Sequence, residues 1–432
     1  MAADLTQVCG DVMAQADVIL AGASVRSFAQ SAIRDGLRII CVDFFGDADL
    51  RRLVAGRNEL GFVRTVTRWS DLPEVLADLP PEIPLLPLGG LENQFDVLEE
   101  IARGRRLLSV PVDTLRKLRC PDQLFSILVQ HKAAVPAWES GSHHDIGSPG
   151  NPWLEKKTLS SGGTGVRRAE HGPRNESDDC YRQQFIDGLL MSATFCHGPT
   201  ESGDGVELLG CALQLAGNPE LNASEFQFCG NAGPVAAGSH LRSELMRIGR
   251  TLVSEFSLRG VFGVDFILFG HRAWVIEVNP RLTASHELYE LHRPEQPGHV
   301  SRQLAAFLPD HGFRWSSVRH PGAVRLSSIR SILYADRDVP VDAELSDRLL
   351  ECADFCCSKP MASGCRLADI PSAGVTVLRN TPFCSLMICG AERGLWRTDL
   401  HGILNRIPVE TGRITRQFIG QIQAKMQIPD PG

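Results

Sequence analysis

The sequence predicts a protein of mixed α/β and α+β class, with a parallel sheet first and a more β-rich part later. Apolar strands alternate with a helix over residues 16–45, which is typical of a parallel sheet covered by helices. From residue 153 onward, strands and glycine loops follow one another. A mixed region with further strands begins after Pro321, so we expect a β-rich extension near the C-terminus.

The composition is that of an ordinary soluble globular protein. The chain has 432 residues, of which 43% are hydrophobic and 22% charged. That length allows roughly two to four domains with their own cores. The net charge of -7 and the pI of about 6.0 argue against nucleic acid or an anionic membrane as a partner. No apolar run approaches the roughly 18 residues of a membrane span.

The N-terminal residues and the cysteines predict a cytoplasmic protein. Residues 1–17 carry three acidic side chains and neither lysine nor arginine, which is unlike a secretory signal. The 13 cysteines are therefore expected to be reduced thiols. Four of them cluster without the paired C-x-x-C spacing of a zinc site: Cys352, Cys356, Cys357 and Cys365.

The N-terminal strand–helix–strand unit comprises a strand at residues 16–23, a helix at 24–32 and a strand at 37–45. Asp43 lies near the end of the second strand, where it could contact a ligand. No G-x-G-x-x-G pattern accompanies it, so a dinucleotide site is not expected.

A second candidate position follows the strand predicted at residues 83–88. Gly89-Gly90-Leu91-Glu92-Asn93 opens a helix there. Glu92 and Asn93 are placed for substrate contact, because ligands of open α/β sheets bind at the carboxyl ends of the strands. A helix cap and a first-turn acid explain the two residues equally well.

The remaining elements follow from apolar periodicity and turn residues. Helices are predicted at residues 121–135, 240–259 and 299–308, a loop at 139–152, and strands at 323–334, 374–378 and 383–389.

A glycine loop after residue 153 has the composition of a phosphate-binding loop. The strand over residues 153–157 delivers Lys156, and the next residues include Ser161, Gly162, Gly163 and Gly165. Glycines let backbone N–H groups approach phosphate oxygens, and a lysine adds a positive charge. Taken alone, the same residues also suit a hairpin turn.

The segment at residues 275–281 predicts a strand with one polar face. Side chains alternate along a strand, so Glu277 and Asn279 share a face while Ile276 and Val278 share the other. A carboxylate beside an amide oxygen suits Mg²⁺, and the planar fork of Arg281 suits phosphate or carboxylate. The alternative is an amphipathic hairpin with its polar face in water.

Asp265 offers a second carboxylate on the preceding strand. A two-residue loop at Gly270-His271 would pair Asp265 with Ile276 and turn Glu277 to the opposite face. A three-residue loop or an equivalent bulge would oppose Asp265 to Glu277, as a shared metal site requires. That arrangement also places Val264, Phe266, Ile276 and Val278 on the buried face.

The glycine loop and the polar strand pair together resemble the ATP-grasp superfamily, in which they occur in this order. The resemblance implies that Asp265, Glu277 and Asn279 hold one or two Mg²⁺ ions of ATP, for which Mn²⁺ could substitute. It implies catalytic roles for Arg281, on phosphate or substrate, and for Lys156, on phosphate. It also assigns ATP contacts to the loop residues Ser161, Gly162, Gly163 and Gly165.

The segment that resembles the adenine-binding linker of this superfamily consists of Gln183, Gln184, Phe185 and Ile186. Two positions depart from the pattern. Leu190 stands where many relatives carry a glutamate for the ribose, and Gln123 stands near the place of an early lysine.

The resemblance implies a division into three parts. Residues 1–115 would form an N-terminal parallel α/β pre-ATP-grasp domain. Residues 116–310 would form the two-subdomain ATP-grasp fold, divided into 116–185 and 186–310. Residues 311–432 would form a C-terminal mixed α/β, β-rich extension.

The implied reaction is ATP-dependent phosphorylation of a carboxylate, followed by attack of an amine on the acyl phosphate. The expected partners are small molecules, and a homodimer is compatible with them. A biotin-carboxylase-like carboxylase fits less well, because Ser285 stands four residues after Arg281 and Glu287 is displaced by two. A non-catalytic ATP-binding protein and a scaffold are further alternatives. The C-terminal part, near Asp369-Ile370-Pro371, resembles a tail found on ATP-grasp ligases linked to methanopterin-type one-carbon cofactor biosynthesis.

Overall fold

A computed structural model describes residues 16–55, 61–140, 152–169, 179–200, 203–308, 328–351, 353 and 364–389. The helices are α1 Arg26–Arg34, α2 Ala48–Ala55, α3 Leu72–Ala77, α4 Phe95–Ala102, α5 Val112–Arg119, α6 Pro121–Gln130, α7 Ser239–Phe256, α8 His286–His292, α9 His299–Phe307 and α10 Ala343–Leu350. The strands are β1 Val18–Gly22, β2 Ile39–Asp43, β3 Gly61–Thr65, β4 Leu85–Pro87, β5 Trp138–Glu139, β6 Trp153–Lys157, β7 Val166–Arg168, β8 Cys180–Gln184, β9 Leu189–Thr200, β10 Gly203–Ala216, β11 Phe228–Val235, β12 Gly260–Phe269, β13 Arg272–Asn279, β14 Ser328–Tyr334, β15 Val339–Pro340, β16 Gly364–Ala368, β17 Thr376–Val377 and β18 Pro382–Cys389.

The N-terminal sheet is parallel, as predicted, with the strand order β3-β2-β1-β4. Strands β1 and β2 are buried throughout, which explains their continuous apolar sequence. Asp43, at the end of β2, accepts hydrogen bonds from the amides of Val25 (2.7 Å), Phe45 (2.8 Å) and Gly46 (2.6 Å). Its carboxylate therefore holds the adjoining loops together.

A small antiparallel sheet, ordered β5-β8-β6-β7, carries the predicted glycine loop between β6 and β7. Helix α6 precedes it and ends at Gln130, five residues earlier than the sequence predicts. Lys132 adopts a positive φ of 62°, which stops the helix, and the chain continues in extended form towards β5.

The largest sheet has eight strands in the order β13-β12-β9-β10-β11-β14-β18-β16. All of its neighbouring strands are antiparallel. Helix α7 buries Leu245, Ile248 and Leu252, which recur at helical spacing. The C-terminal strands β14, β18 and β16 extend this central sheet, so the predicted β-rich extension shares a sheet with the strands before it.

Two composition-based expectations meet the structure only in part. The side chains of the four clustered cysteines lie outside the described residues. The cysteines whose side chains are described form no disulfide with one another. Across the described ranges, no helix combines the length and the apolar character needed to cross a membrane.

Candidate functional site

A cavity of about 370 Å³ lies between the small antiparallel sheet and the eight-stranded sheet. Most of the residues singled out from the sequence line it: Lys156, Ser161, Gly162, Gly163, Gln183, Gln184, Phe185, Ile186, Asp265, Glu277, Asn279 and Arg281. Gly165, Glu92 and Asn93 are absent from the lining. The cavity therefore gathers residues from segments more than 100 positions apart in the sequence.

The hairpin of β12 and β13 opposes Asp265 to Glu277, as a shared metal site requires. The turn is the two-residue loop Gly270-His271, because Phe269 pairs with Arg272. A bulge at Ile276 restores the register, since Asp265 pairs with Glu277 but Phe266 pairs with Val275.

The bulge also corrects one expectation. Val264, Phe266 and Val278 are fully buried, as predicted for the apolar face of the hairpin. Ile276 instead lines the cavity beside Glu277. Because the extra residue interrupts the alternation of side chains, two consecutive residues can face the same space.

Asp265 is held in place from two sides. The side-chain amides of Gln214 and Asn279 both donate hydrogen bonds to its carboxylate, the latter at 2.9 Å. Burial, followed by the negative charge of Glu277, raises the pKa of Asp265 to about 7. Two adjacent carboxylates with an amide beside them fit a hard divalent cation.

Arg281 is oriented by Glu92, which reaches it from the N-terminal sheet. Arg281 Nε donates to Glu92 Oε1 at 2.6 Å, and Arg281 Nη1 donates to the Leu282 carbonyl at 3.0 Å. Glu92 is 3% exposed. Glu92 therefore orients Arg281 and does not itself face the cavity, where it could contact a substrate.

Asn93 connects the N-terminal sheet to the glycine loop. Its Nδ2 donates to Ser161 Oγ at 3.1 Å and to the Ser160 carbonyl at 3.3 Å. Asn93 is not the N-cap of α4, because Gln94 occupies that position and no side chain caps the helix. Asn93 therefore fixes the position of the loop relative to the N-terminal sheet.

Lys156 projects from β6 towards the acidic hairpin. Its Nζ donates to Gln183 Oε1 at 3.1 Å and lies 3.5 Å from the Ile276 carbonyl oxygen. Burial alone would lower the pKa of Lys156, but Tyr181 and Glu277 outweigh it, so the pKa lies above its usual value. The lysine consequently carries a positive charge into the cavity.

The glycine loop requires glycine where it meets β11. Gly163 has a φ of 74°, and a Cβ there would lie 1.9 Å from the Phe226 carbonyl oxygen. The Phe228 amide donates to the Gly162 carbonyl at 2.9 Å. Gly165 packs against Ser160 instead, so it shapes the loop from behind.

Residues 122–285 match the profile of the ATP-grasp domain family. This part of the chain has the ATP-grasp fold. No curated protein matches the chain by sequence. The predicted strand pair and glycine loop both fall inside the matched residues.

Solved structures with the ATP-grasp fold resemble the chain over most of its length. N5-carboxyaminoimidazole synthetase from Staphylococcus aureus, complexed with ADP, is 12% identical, with a TM-score of 0.56 over 95% of this chain and 97% of that one. Biotin carboxylase from Campylobacter jejuni is 14% identical, with a TM-score of 0.60 over 91% of each chain. The biotin carboxylase domain of Hydrogenobacter thermophilus 2-oxoglutarate carboxylase is 12% identical, with a TM-score of 0.59 over 90% and 89%. At these identities the likeness establishes the fold, including the parallel N-terminal sheet.

Arg119 is the main residue of the ATP-grasp cavity that sequence reasoning missed. Its Nη1 donates to Glu277 Oε1 at 3.0 Å, and its Nε donates to Asn93 Oδ1 at 2.8 Å. Its Nη2 is buried without a hydrogen bond. Gln123, which the sequence places near an early lysine, is exposed and lies outside the cavity lining.

Other cavity residues carried no sequence signal of their own. Gln214, Tyr181 and Asn231 line the cavity from β10, β8 and β11, outside the segments that the sequence motifs marked. For Arg119, the signal was a basic residue that ends a helix immediately before Cys120-Pro121. A basic residue at this position also stabilises an ordinary helix C-terminus. The sequence pattern therefore did not distinguish a helix-stabilising arginine from one that faces the cavity.

Proposed function

We propose that the chain is an ATP-dependent ligase that phosphorylates a carboxylate and couples the acyl phosphate to an amine, releasing ADP and phosphate. The observation that carries this proposal is the opposition of Asp265 to Glu277 in a cavity that also holds Lys156, Arg281 and the glycine loop. Phosphoryl transfer depends mainly on alignment and charge neutralisation, and these residues supply both.

Asp265, Glu277 and Asn279 would hold one or two Mg²⁺ ions, or Mn²⁺ in their place. Bound there, the metal would neutralise the phosphate charge of the nucleotide. The ionised form of Asp265 is the one that binds a cation. Gln214 keeps its carboxylate aimed into the cavity.

The other cavity residues divide into phosphate and adenine contacts. Lys156 and the backbone amides near Gly162 and Gly163 bind phosphate oxygens, supported by Ser161. The second set comprises Gln183, Gln184, Phe185, Ile186 and Leu190; these residues enclose the adenine and ribose. Gly165 acts by shaping the loop.

Arg281 is the residue that would hold the acid substrate and its acyl phosphate. Its guanidinium is planar and suits bidentate contact with carboxylate or phosphate. Glu92 orients it, and Asn93 keeps the loop opposite it, so these two act as positioning residues. Arg119 is a further cation for the phosphates once Glu277 turns to a metal ion.

The position of Glu287 favours the amine ligase over a biotin-carboxylase-like reaction. Its carboxylate pairs with Arg26 at 2.6 Å and with Arg330 at 3.3 Å, and it is 6% exposed. A general base must lie within hydrogen-bond reach of the proton that it removes in the cavity. Glu287 is committed to an ion-pair cluster outside the cavity lining instead.

The cellular setting is part of the same proposal. We place the enzyme in the cytoplasm, acting on small molecules, as a monomer or homodimer.

We divide the chain into three domains, which comprise residues 1–115, 116–310 and 311–432. The resemblance of its C-terminal part suggests methanopterin-type one-carbon cofactor biosynthesis as the process that supplies the acid and the amine.

The test is a phosphate-release screen over pools of carboxylates and amines with Mg-ATP. We expect release of ADP and phosphate that requires one acid and one amine together. The Glu277→Gln substitution should abolish this release. ATP turnover driven by bicarbonate without an amine would favour the carboxylase. Mg-ATP binding without turnover for any pair would favour the non-catalytic ATP-binding protein, and the absence of Mg-dependent ATP binding would contradict both.

A further inference from the structure

A second cluster of metal-ligating side chains lies outside the ATP-grasp cavity. It consists of His286 and Glu290 on α8 and His299 at the start of α9. One ligand atom from each residue lies within 4.8 Å of the other two. His286 and Glu290 are four residues apart, which puts them on one face of their helix.

The distances between the ligand atoms are close to those of a metal site. His286 Nδ1 lies 3.2 Å from Glu290 Oε1, and His299 Nδ1 lies 4.0 Å from the same oxygen. Tetrahedral bonds of about 2.0–2.1 Å separate ligand atoms by about 3.3 Å. The first pair, which shares a hydrogen bond in this structure, is already at that separation. The second pair reaches it with a shift of about 0.7 Å of the His299 ring.

The surroundings orient the first two ligands. His286 Nε2 hydrogen-bonds to Ser27 Oγ at 3.0 Å, which leaves Nδ1 to face Glu290. Arg34 pairs with Glu290 Oε2 at 3.1 Å, and Ser31 Oγ donates to Glu290 Oε1 at 2.8 Å. Metal-binding histidines and carboxylates are commonly held by outer hydrogen bonds of this kind.

His299 supplies the observation that points to a ligand. Its backbone amide donates to Glu290 Oε1 at 2.7 Å, whereas its side-chain Nδ1 is buried without a hydrogen-bond partner. A neutral imidazole nitrogen with an unused lone pair is the form that binds a metal ion.

We infer that His286, Glu290 and His299 bind one divalent transition-metal ion, Zn²⁺ being the best match to two nitrogens and one oxygen. The site would be structural. It lies where α1 of the N-terminal sheet meets α8 and α9, so an ion there would tie these three helices together. Mg²⁺ would bind poorly, because it prefers an all-oxygen octahedron. Because the positive charge of Arg34 weakens the attraction of Glu290 for a cation, we expect the site to need added zinc and not to retain the ion through purification.

The test is a Co²⁺ titration of the full chain, followed by visible absorption. We expect a d–d band that saturates at one equivalent of Co²⁺ and lacks the intense near-ultraviolet absorption of cobalt–thiolate bonds. Addition of Zn²⁺ should abolish this band. His299→Gln should remove the band, whereas His271→Gln, at the exposed hairpin turn, should keep it. Glu277→Gln should also keep it, so failure of the proposed ligase site would not affect the result.

A second measurement on the unaltered chain covers the case in which His299→Gln fails to fold. An ion that binds only the folded state raises Tm. Zn²⁺ should therefore raise the Tm of both the parent chain and Glu277→Gln. Mg²⁺ should not raise the Tm of Glu277→Gln. Absence of both the cobalt band and the zinc-dependent Tm shift would overturn the inference and leave a hydrogen-bonded cluster that binds protons only. A band with thiolate absorption would likewise overturn it by assigning the ion to cysteines.

Discussion

Glu92 and Arg281 are 189 residues apart in sequence, yet their side chains meet at 2.6 Å. Glu92 follows the parallel N-terminal sheet, and Arg281 follows β13. Arg119 lies 3.6 Å from the same carboxylate, so one buried acid faces two cavity cations. The pKa of Glu92 is lowered because Arg281 and Arg119 outweigh the effect of its burial. The N-terminal sheet therefore contributes directly to the geometry of the ATP-grasp cavity.

Glu92→Gln should impair turnover through Arg281. Removing one partner of a buried, hydrogen-bonded charge pair costs about 2–5 kcal/mol, so we expect a loss of at least tenfold in kcat/KM for the acid. The Kd of Mg-ATP should change less. Glu99→Gln removes an exposed partner of Arg116 and is the matched control. Equal kinetics in the two variants would show that Glu92 does not position Arg281.

Glu277→Gln should abolish ATP turnover while the protein stays folded. The change removes a central carboxylate, and loss of one electrostatic contributor typically costs on the order of 10²-fold in rate. Steady-state ADP release measures the effect, and circular dichroism checks the fold. Glu255→Gln, at a half-exposed glutamate that faces His131, serves as the control. Turnover at the parent rate would remove Glu277 from the catalytic assignment.

Stability should depend on pH through Asp265. Its pKa is about 7 in the folded protein, against about 4 in an unfolded chain. Without metal, its contribution to stability is fully present below about pH 4 and is lost as the pH rises through 7. Mg²⁺ binds the ionised form, so Mg²⁺ should raise Tm more at pH 8 than at pH 6.

Differential scanning fluorimetry with and without Mg²⁺ measures this dependence. In Asp265→Asn the difference between the two pH values should disappear, because the side chain no longer titrates. A Mg²⁺ shift of equal size at both pH values in the parent chain would contradict the assignment of Asp265 as the titrating metal ligand.

Gly163→Ala should weaken Mg-ATP binding more than Gly162→Ala. Both residues have positive φ values, 74° and 63°, so alanine introduces about 1–2 kcal/mol of backbone strain at either position. Only at Gly163 does the added Cβ meet a neighbour, the Phe226 carbonyl oxygen. We expect at least a tenfold larger rise in Kd for Gly163→Ala by calorimetry. Equal Kd values would indicate that the contact with Phe226 does not shape the glycine loop.

The loop at residues 160–165 should be mobile without nucleotide and ordered with it. Three tertiary hydrogen bonds hold it: the Phe228 amide donates to the Gly162 carbonyl, and Asn93 Nδ2 donates to Ser161 Oγ and to the Ser160 carbonyl. So few bonds allow local opening, and phosphate contacts would add to them. Hydrogen exchange should slow in this loop when Mg-ATP is added. Exchange that is equally slow in both states would contradict this expectation.

The sequence by itself predicted the features that depend on neighbouring residues. The alternation over residues 275–281 predicted the polar strand, and the glycine-rich stretch predicted the loop at Gly162 and Gly163. The strand–helix–strand pattern predicted the parallel sheet. These features follow from local rules of side-chain alternation and backbone freedom, which a single segment is enough to express.

Only the tertiary structure decided which distant groups meet. It placed Arg119 against Glu277, Glu92 against Arg281, and Glu287 in an ion-pair cluster away from the cavity. Of the two arrangements that the sequence left open, a three-residue turn or an equivalent bulge, it selected the bulge at Ile276, because strand register depends on pairing across the whole hairpin. Contacts between segments more than 100 residues apart arise from packing of complete sheets and helices, and the pattern of a single segment does not encode them.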